Sequence, residues 1–255
     1  MPPPAHSPAP AASTGSHWDL HLLGSFALTH GTRGVDVPPL PQKLFAFLAV
    51  HTRPVPRMEL AHALWPDHEE SRASANLRCA LWRLPGGRRP GHALVDEHRT
   101  GLQIAPHVAI DARLLQQQAA VLGRAAEAGA TAALPSTGTL CQDLLPDWHD
   151  DWLLAAREWH RQLRLRALEQ LAAHQCRAGR LEEALEAAMA AVACEPLRES
   201  AHRAVAAVHL AEGNPSEALR HYDRYRERLR DELGIAPSPR FRDLLAPLLA
   251  RPLDR

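Results

Sequence analysis

The residues best suited to chemistry lie in the stretch SRASANLRCALWRL, positions 71–84, where Arg72, Asn76, Arg78 and Arg83 interleave with apolar residues at helical spacing. An arginine guanidinium can pair with O6 and N7 of guanine or hold a phosphate, and an asparagine amide matches the N6 and N7 edge of adenine. At about 100° per residue, Leu77, Ala80, Leu81 and Leu84 gather on one side of a helix. Arg72, Asn76, Cys79 and Arg83 lie opposite, with Arg78 and Trp82 flanking them. A second polar set, His98 and Arg99, stands in the segment DEHRTG, where it could press on a sugar-phosphate backbone while Asp96 and Glu97 repel it. A solvated arginine face would have the same local pattern, so the elements around these residues must decide.

Other chemistries find less support. In HWDLH, His17 and His21 share a strand face, but no third ligand follows at a zinc-like spacing. His62 and His68 flank a turn, and the HEE at 68–70 lacks the second histidine of a zincin helix. Cys79, Cys141, Cys176 and Cys194 form no CxxC pair, and no local signature sets a base beside any of them. No GxxxxGK[ST] occurs, so nucleotide switching is not expected in this sequence. The expectation is a protein that is not an enzyme and carries no cofactor and no metal.

The flanking pattern supplies the missing context. Residues 1–16 hold five prolines and no Asp, Glu, Lys or Arg, the composition of a disordered tail. From His17, Trp18, Leu20 and Leu22 alternate with polar residues, and Phe26 and Leu28 do so again before the turn-rich HGTRG, which predicts short antiparallel strands. Pro41 opens a helix carrying Leu44, Phe45, Leu48 and Ala49, which Pro54 terminates. A second helix runs from Arg57 to Leu64, and a third from Ser71 to Leu84, closed by Pro85-Gly86-Gly87. Leu94-Val95 and Leu102–Ile104 then bracket a hairpin with a charged tip. Strands, three helices and a hairpin in this order are the layout of a winged helix-turn-helix, whose third helix enters the major groove.

Helical periodicity governs the rest. A helix is expected over 109–133, ending in the loop ALPSTGTL, with further helices near 153–178, 181–194, 197–211 and 215–233, and a last from Pro239 to about Ala250. Positions 34 apart repeat: Ala172 and Ala206, Ala173 and Ala207, Gly179 and Gly213, Glu183 and Glu217, Ala184 and Ala218, Leu185 and Leu219. That is the period of a tetratricopeptide repeat, and small residues there let paired helices approach closely. Trp148, Trp152 and Trp159, four and seven apart, are expected to form a core stripe against the repeats. The expected fold is mainly α: an N-terminal winged helix-turn-helix (α+β) over 17–108, then an all-α tetratricopeptide-repeat-like domain over 109–250.

Composition limits how such a molecule could bind nucleic acid. The 255 residues carry 29 Lys+Arg and 29 Asp+Glu, so the formal net charge is zero and non-specific, histone-like binding is disfavoured. Within 17–110 there are 10 basic and 8 acidic residues, a net of +2, so one protomer neutralises few phosphates. Useful affinity calls for two protomers or a polymerase partner. No stretch reaches the roughly 18 apolar residues of a membrane span, and residues 1–16 lack an apolar signal core, which leads to the expectation of a cytoplasmic protein with no membrane partner.

Longer runs carry a family resemblance. LHLLGSFAL, LPQKLFAFLAVHTRPVPRMELAHALWPD and SRASANLRCALWRL resemble the DNA-binding half of the Streptomyces antibiotic regulatory protein family, itself related to the winged helices of response regulators. CQDLLPDWHDDWLLAAREWHRQLRLRALEQLA, AGRLEEALEAA, EPLRESAH and DELGIAPSP are similar to that family's bacterial transcriptional activator domain. The resemblance implies a bacterial transcription regulator, an activator, that binds direct repeats in double-stranded promoter DNA as two protomers and assists RNA polymerase. It assigns recognition to Arg72, Asn76, Arg78 and Arg83, and wing contacts to His98 and Arg99. Cys79 and the acidic pair in the wing depart from the polar and basic residues expected at those places. The alternative reading keeps the fold but makes the chain a protein-interaction module whose winged helix no longer binds DNA usefully.

Overall fold

The computed structural model describes residues 17–85, 93–128 and 135–249. The expected tail at 1–16, the Gly86-Gly87 stop, the end of the helix expected over 109–133 and Ala250 lie outside these residues. The chain divides into two compact units, Met1–Ala112 and Arg113–Arg255.

In the first unit, β1 (Trp18–His21) pairs antiparallel with β2 (Ala27–His30), which pairs in turn with β3 (Arg33–Val35). Gly31, at φ +60, makes the tight turn between β2 and β3 that a side chain would resist. α1 (Pro39–Val50), α2 (Arg57–Leu64) and α3 (Glu70–Trp82) follow, then the hairpin of β4 (Val95–His98) and β5 (Gly101–Ile104). The order of the four-stranded sheet is β3-β2-β1-β6, closed by β6 (Val108–Ile110) running parallel to β1. Leu20, Leu28, Leu44, Phe45, Leu60, Leu77 and Leu102 bury almost completely in its core. The apolar burial of these side chains drives the unit's folding.

Two strands depart from the sequence expectation. Residues 109–110 end β6 rather than open a helix, because Val108 and Ile110 bury beside β1 and only Asp111 begins α4 (Asp111–Ala128). The Asp111 carboxylate accepts hydrogen bonds from the backbone N–H groups of Leu22 and Leu23, at 3.0 Å each, which fixes the end of β1. β3 arises within the segment expected to be only a turn, since its three residues can complete a ladder with β2.

The second unit is helical: α5 (Thr137–Leu140), α6 (Leu153–Arg177), α7 (Leu181–Cys194), α8 (Glu199–Ala211), α9 (Pro215–Leu233) and α10 (Pro239–Leu249). α5 occupies part of the expected loop, capped by the Ser136 side chain accepting from the Thr139 N–H. Consecutive helices from α6 to α9 pack on one another, and α6 also touches α8, as the 34-residue period requires. Ala172, Ala184, Ala206 and Ala218 are buried where the helices meet. Gly179 (φ +74) and Gly213 (φ +76) end α6 and α8 in the left-handed conformation, so the repeated glycines are helix stops. Phe241 and Leu245 of α10 close the last pair by packing on Ala206, Ala218, Tyr225 and Leu229.

The expected tryptophan core does not form. Trp148 and Trp152 meet edge-to-face at 6.5 Å and are half-buried, while Trp159 is 51% exposed. The inward positions of early α6 go instead to polar anchors. Arg157 donates to the Leu144 carbonyl at 2.9 Å and also to that of Leu145, His160 Nε2 meets the Gln142 carbonyl at 3.1 Å, and Arg164 donates to the Cys141 carbonyl at 3.1 Å. Arg164 also pairs with Asp143 at 2.5 Å. CQDLL is thereby held along α6 through its backbone, and Leu145 adopts a positive φ of 44.

Candidate nucleic-acid interface

α3 is held from below by Ala73, Leu77 and Ala80, all buried against the rest of the first unit. Ser74 Oγ donates to Met58 Sδ at 3.8 Å, tying α3 to α2. Its N-terminus carries Glu69 and Glu70, whose charge suits the positive end of the helix. At that end they sit beside Arg72, while Arg78 and Arg83 are the cations of the other end.

The structure places Arg72, Arg78 and Arg83 exposed, with Arg83 just past the last turn as the C-cap. The helix therefore stops short of the expected Leu84: the Arg83 N–H bonds to the carbonyls of Cys79 and Ala80, and the Leu84 N–H turns back to the Leu81 carbonyl at 3.4 Å. Asn76 is not outward with the arginines. It is half-buried, and its Nδ2 lies 3.4 Å from His68 Nδ1, across the turn between α2 and α3.

With the core centred on Ala73, Leu77 and Ala80, the side of α3 farthest from it carries Ser71, Ala75 and Trp82, flanked about equally by Arg78 and Cys79. Trp82 is 79% exposed. Sequence reasoning missed this because it included Leu81 and Leu84 in the inward face, whereas both are only half-buried, and so rotated the outward face toward Asn76. A tryptophan set between Arg78 and Arg83 was the available signal.

β4 and β5 form the wing. His98 and Arg99 are exposed at its tip, where His98 pairs with Gly101 across the turn. The backbone of Val55 bridges Leu102 with hydrogen bonds of 2.8 Å in both directions, so the loop before α2 becomes the wing's third chain segment. Gly101, at φ +152, permits that approach: a Cβ there would lie 2.1 Å from the Val55 carbonyl oxygen. Of the two wing carboxylates, Glu97 pairs with Arg57 of α2 at 2.9 Å and Asp96 is half-buried. The ion pair offsets the part of the repulsion that Glu97 would exert.

The histidines singled out at the first strand have local partners. His17 Nε2 lies 2.9 Å from Asp19, and His21 Nδ1 lies 3.9 Å from Asp111. In the second unit His202 and His221 are buried with 2.9 Å between their ring nitrogens, His202 stacks on Tyr225 at 4.1 Å, and its Nε2 meets the Pro196 carbonyl at 2.9 Å. Burial, reinforced by His202, pushes the His221 pKa down to about 4, and burial also lowers that of His202. Burial raises the Tyr225 phenol to about 12. Among the described residues no helix is long and apolar enough to cross a membrane.

A family model described as "bacterial transcriptional activator domain" matches residues 107–249, more than half of the chain. Among solved structures, one titled "Mycobacterium tuberculosis EmbR in complex with low affinity phosphopeptide" is similar at a TM-score of 0.74 and 23% identity. The likeness covers 93% of this chain and 66% of that one, so this chain spans just under two thirds of the length of that relative. No curated protein matches.

Proposed function

The chain belongs to the bacterial transcriptional activator domain family, and from that premise we propose that it is a transcriptional regulator that reads double-stranded promoter DNA. The observation that carries the proposal is the exposed face of α3: Arg72 and Arg78 on the third helix of a winged helix-turn-helix and Arg83 at its C-cap, next to a wing that ends in His98 and Arg99. In this reading Arg78 and Arg83 reach base edges or the phosphates beside them, Arg72 anchors the other end of the helix, and the wing tip touches the neighbouring backbone. Asn76 acts by holding the turn to the helix through His68 rather than by reading adenine.

Two protomers on direct repeats, or one beside RNA polymerase, supply the affinity that a net charge of +2 over 17–110 does not. The helical repeats are the surface for that second contact, and the output is activation. Replacing Arg78 or Arg83 by alanine weakens binding to a selected duplex by about 1–3 kcal/mol per base contact. Equal affinity of both variants and the parent for that duplex, measured by fluorescence anisotropy at fixed salt, contradicts the assignment. The protein-interaction reading is then favoured, since it needs the helical repeats and not the arginines.

A further inference from the structure

We infer that the centre of the α3 face is an apolar reader, and that Ala75, Cys79 and Trp82 recognise the C5-methyl groups of thymines in the operator. The inference rests on the DNA-reading proposal above and deepens it by naming the bases. It starts from an arrangement the arginines alone do not explain. Ala75, Cys79 and Trp82 lie at i, i+4 and i+7, so they form one stripe along the helix. The buried Ala73, Leu77 and Ala80 lie on the opposite side, so Ala75 and Trp82, with Ser71, are the most outward positions of α3, and Cys79 and Arg78 lie about equally far round on either side of them. Arg78 borders it on one side, and Arg72 and Arg83 on the other.

A face built only to hold phosphate would carry its cations at the centre. Here the outermost line bears no charge, and its largest member, Trp82, leaves 79% of its surface in water. The apolar area of an exposed tryptophan favours association when another surface covers it. The flanking arginines select the occupant: a groove with phosphates along both rims and an apolar floor complements cations on both sides of an apolar line. The major groove of DNA has such a floor only where thymine presents its methyl group, which apolar side chains contact directly. An apolar protein helix would fill the stripe but leave both rows of arginines without acceptors.

The test uses the full-length protein and a duplex library with a randomised core. The sequence retained after selection is synthesised twice, with thymidine and with deoxyuridine, which differ only in the methyl group. Binding of the parent is expected to fall about threefold for each contacted methyl on going from thymidine to deoxyuridine. The Trp82→Ala variant, which removes an exposed side chain, is expected to melt like the parent, to bind the thymidine duplex more weakly and to lose much of the sensitivity to the exchange. Cys79→Ser tests the middle of the stripe in the same way. Equal binding of both duplexes by the parent overturns the inference and leaves DNA reading intact, as does full methyl sensitivity in both variants. Failure to retain any sequence overturns DNA reading, and this inference with it.

Discussion

At the scale of single residues, Gly101 is the most demanding position in the wing. Its φ of +152 suits glycine, and a Cβ would meet the Val55 carbonyl oxygen at 2.1 Å, where backbone on both sides prevents retreat. Gly101→Ala is expected to cost at least about 2 kcal/mol through strain and overlap, and to weaken DNA binding by displacing His98 and Arg99. Urea unfolding checks the first part, and an unchanged midpoint contradicts it. The His202–His221 pair makes a pH prediction at the same scale. The folded pKa of His221 lies near 4, below its ordinary 6.5, so the unfolded chain binds the extra proton first. The stability this supplies is complete above about pH 6.5 and is lost as pH falls toward about 4. Thermal melts of the parent are expected to drop across that window more steeply than those of His221→Gln, and parallel curves for the two proteins contradict the assignment.

At the scale of elements, the sequence was most informative where periodicity was long. The 34-residue register placed buried alanines and both left-handed glycines because each performs the same packing or stopping task twice. It was least informative where an element exists only through a distant partner. β6 has three residues, and nothing local distinguishes them from the start of a helix until β1 lies beside them. The outward face of α3 was legible to within part of a turn: the arginines were found, but Asn76 faces the turn and Trp82 faces out, because Leu81 and Leu84 bury less than their hydrophobicity suggests. The tryptophan stripe of early α6 misled for a related reason. Arg157, His160 and Arg164 occupy the inward positions by satisfying loop carbonyls, which hydrophobic patterning cannot register. Arg164→Met, which keeps bulk but leaves the Cys141 carbonyl without that donor, is expected to cost about 1–3 kcal/mol and to speed amide exchange in residues 141–145. Exchange as slow as in the parent contradicts the latch.

At the scale of the whole molecule, the chain joins an N-terminal unit whose exposed features suit DNA to a helical unit that carries the family's defining domain. The proposed division of labour assigns sequence reading to the first and the second protein contact to the other. A fragment ending at Ala112 retains the Asp111 carboxylate that fixes β1, and is expected to keep the sequence preference of the parent while losing cooperativity on paired sites. Cooperative binding by that fragment, measured by footprinting of one and two half-sites, contradicts the division. In the proposed function α3 reads promoter DNA through its arginines. The most direct measurement is selection of genomic fragments by the purified protein at two salt concentrations, with an Arg78→Ala, Arg83→Ala double variant in parallel. Short direct repeats are expected to be retained by the parent, more strongly at low salt, and lost in the variant. Retention of no sequence at low salt, or the same repeats in both proteins, contradicts that function.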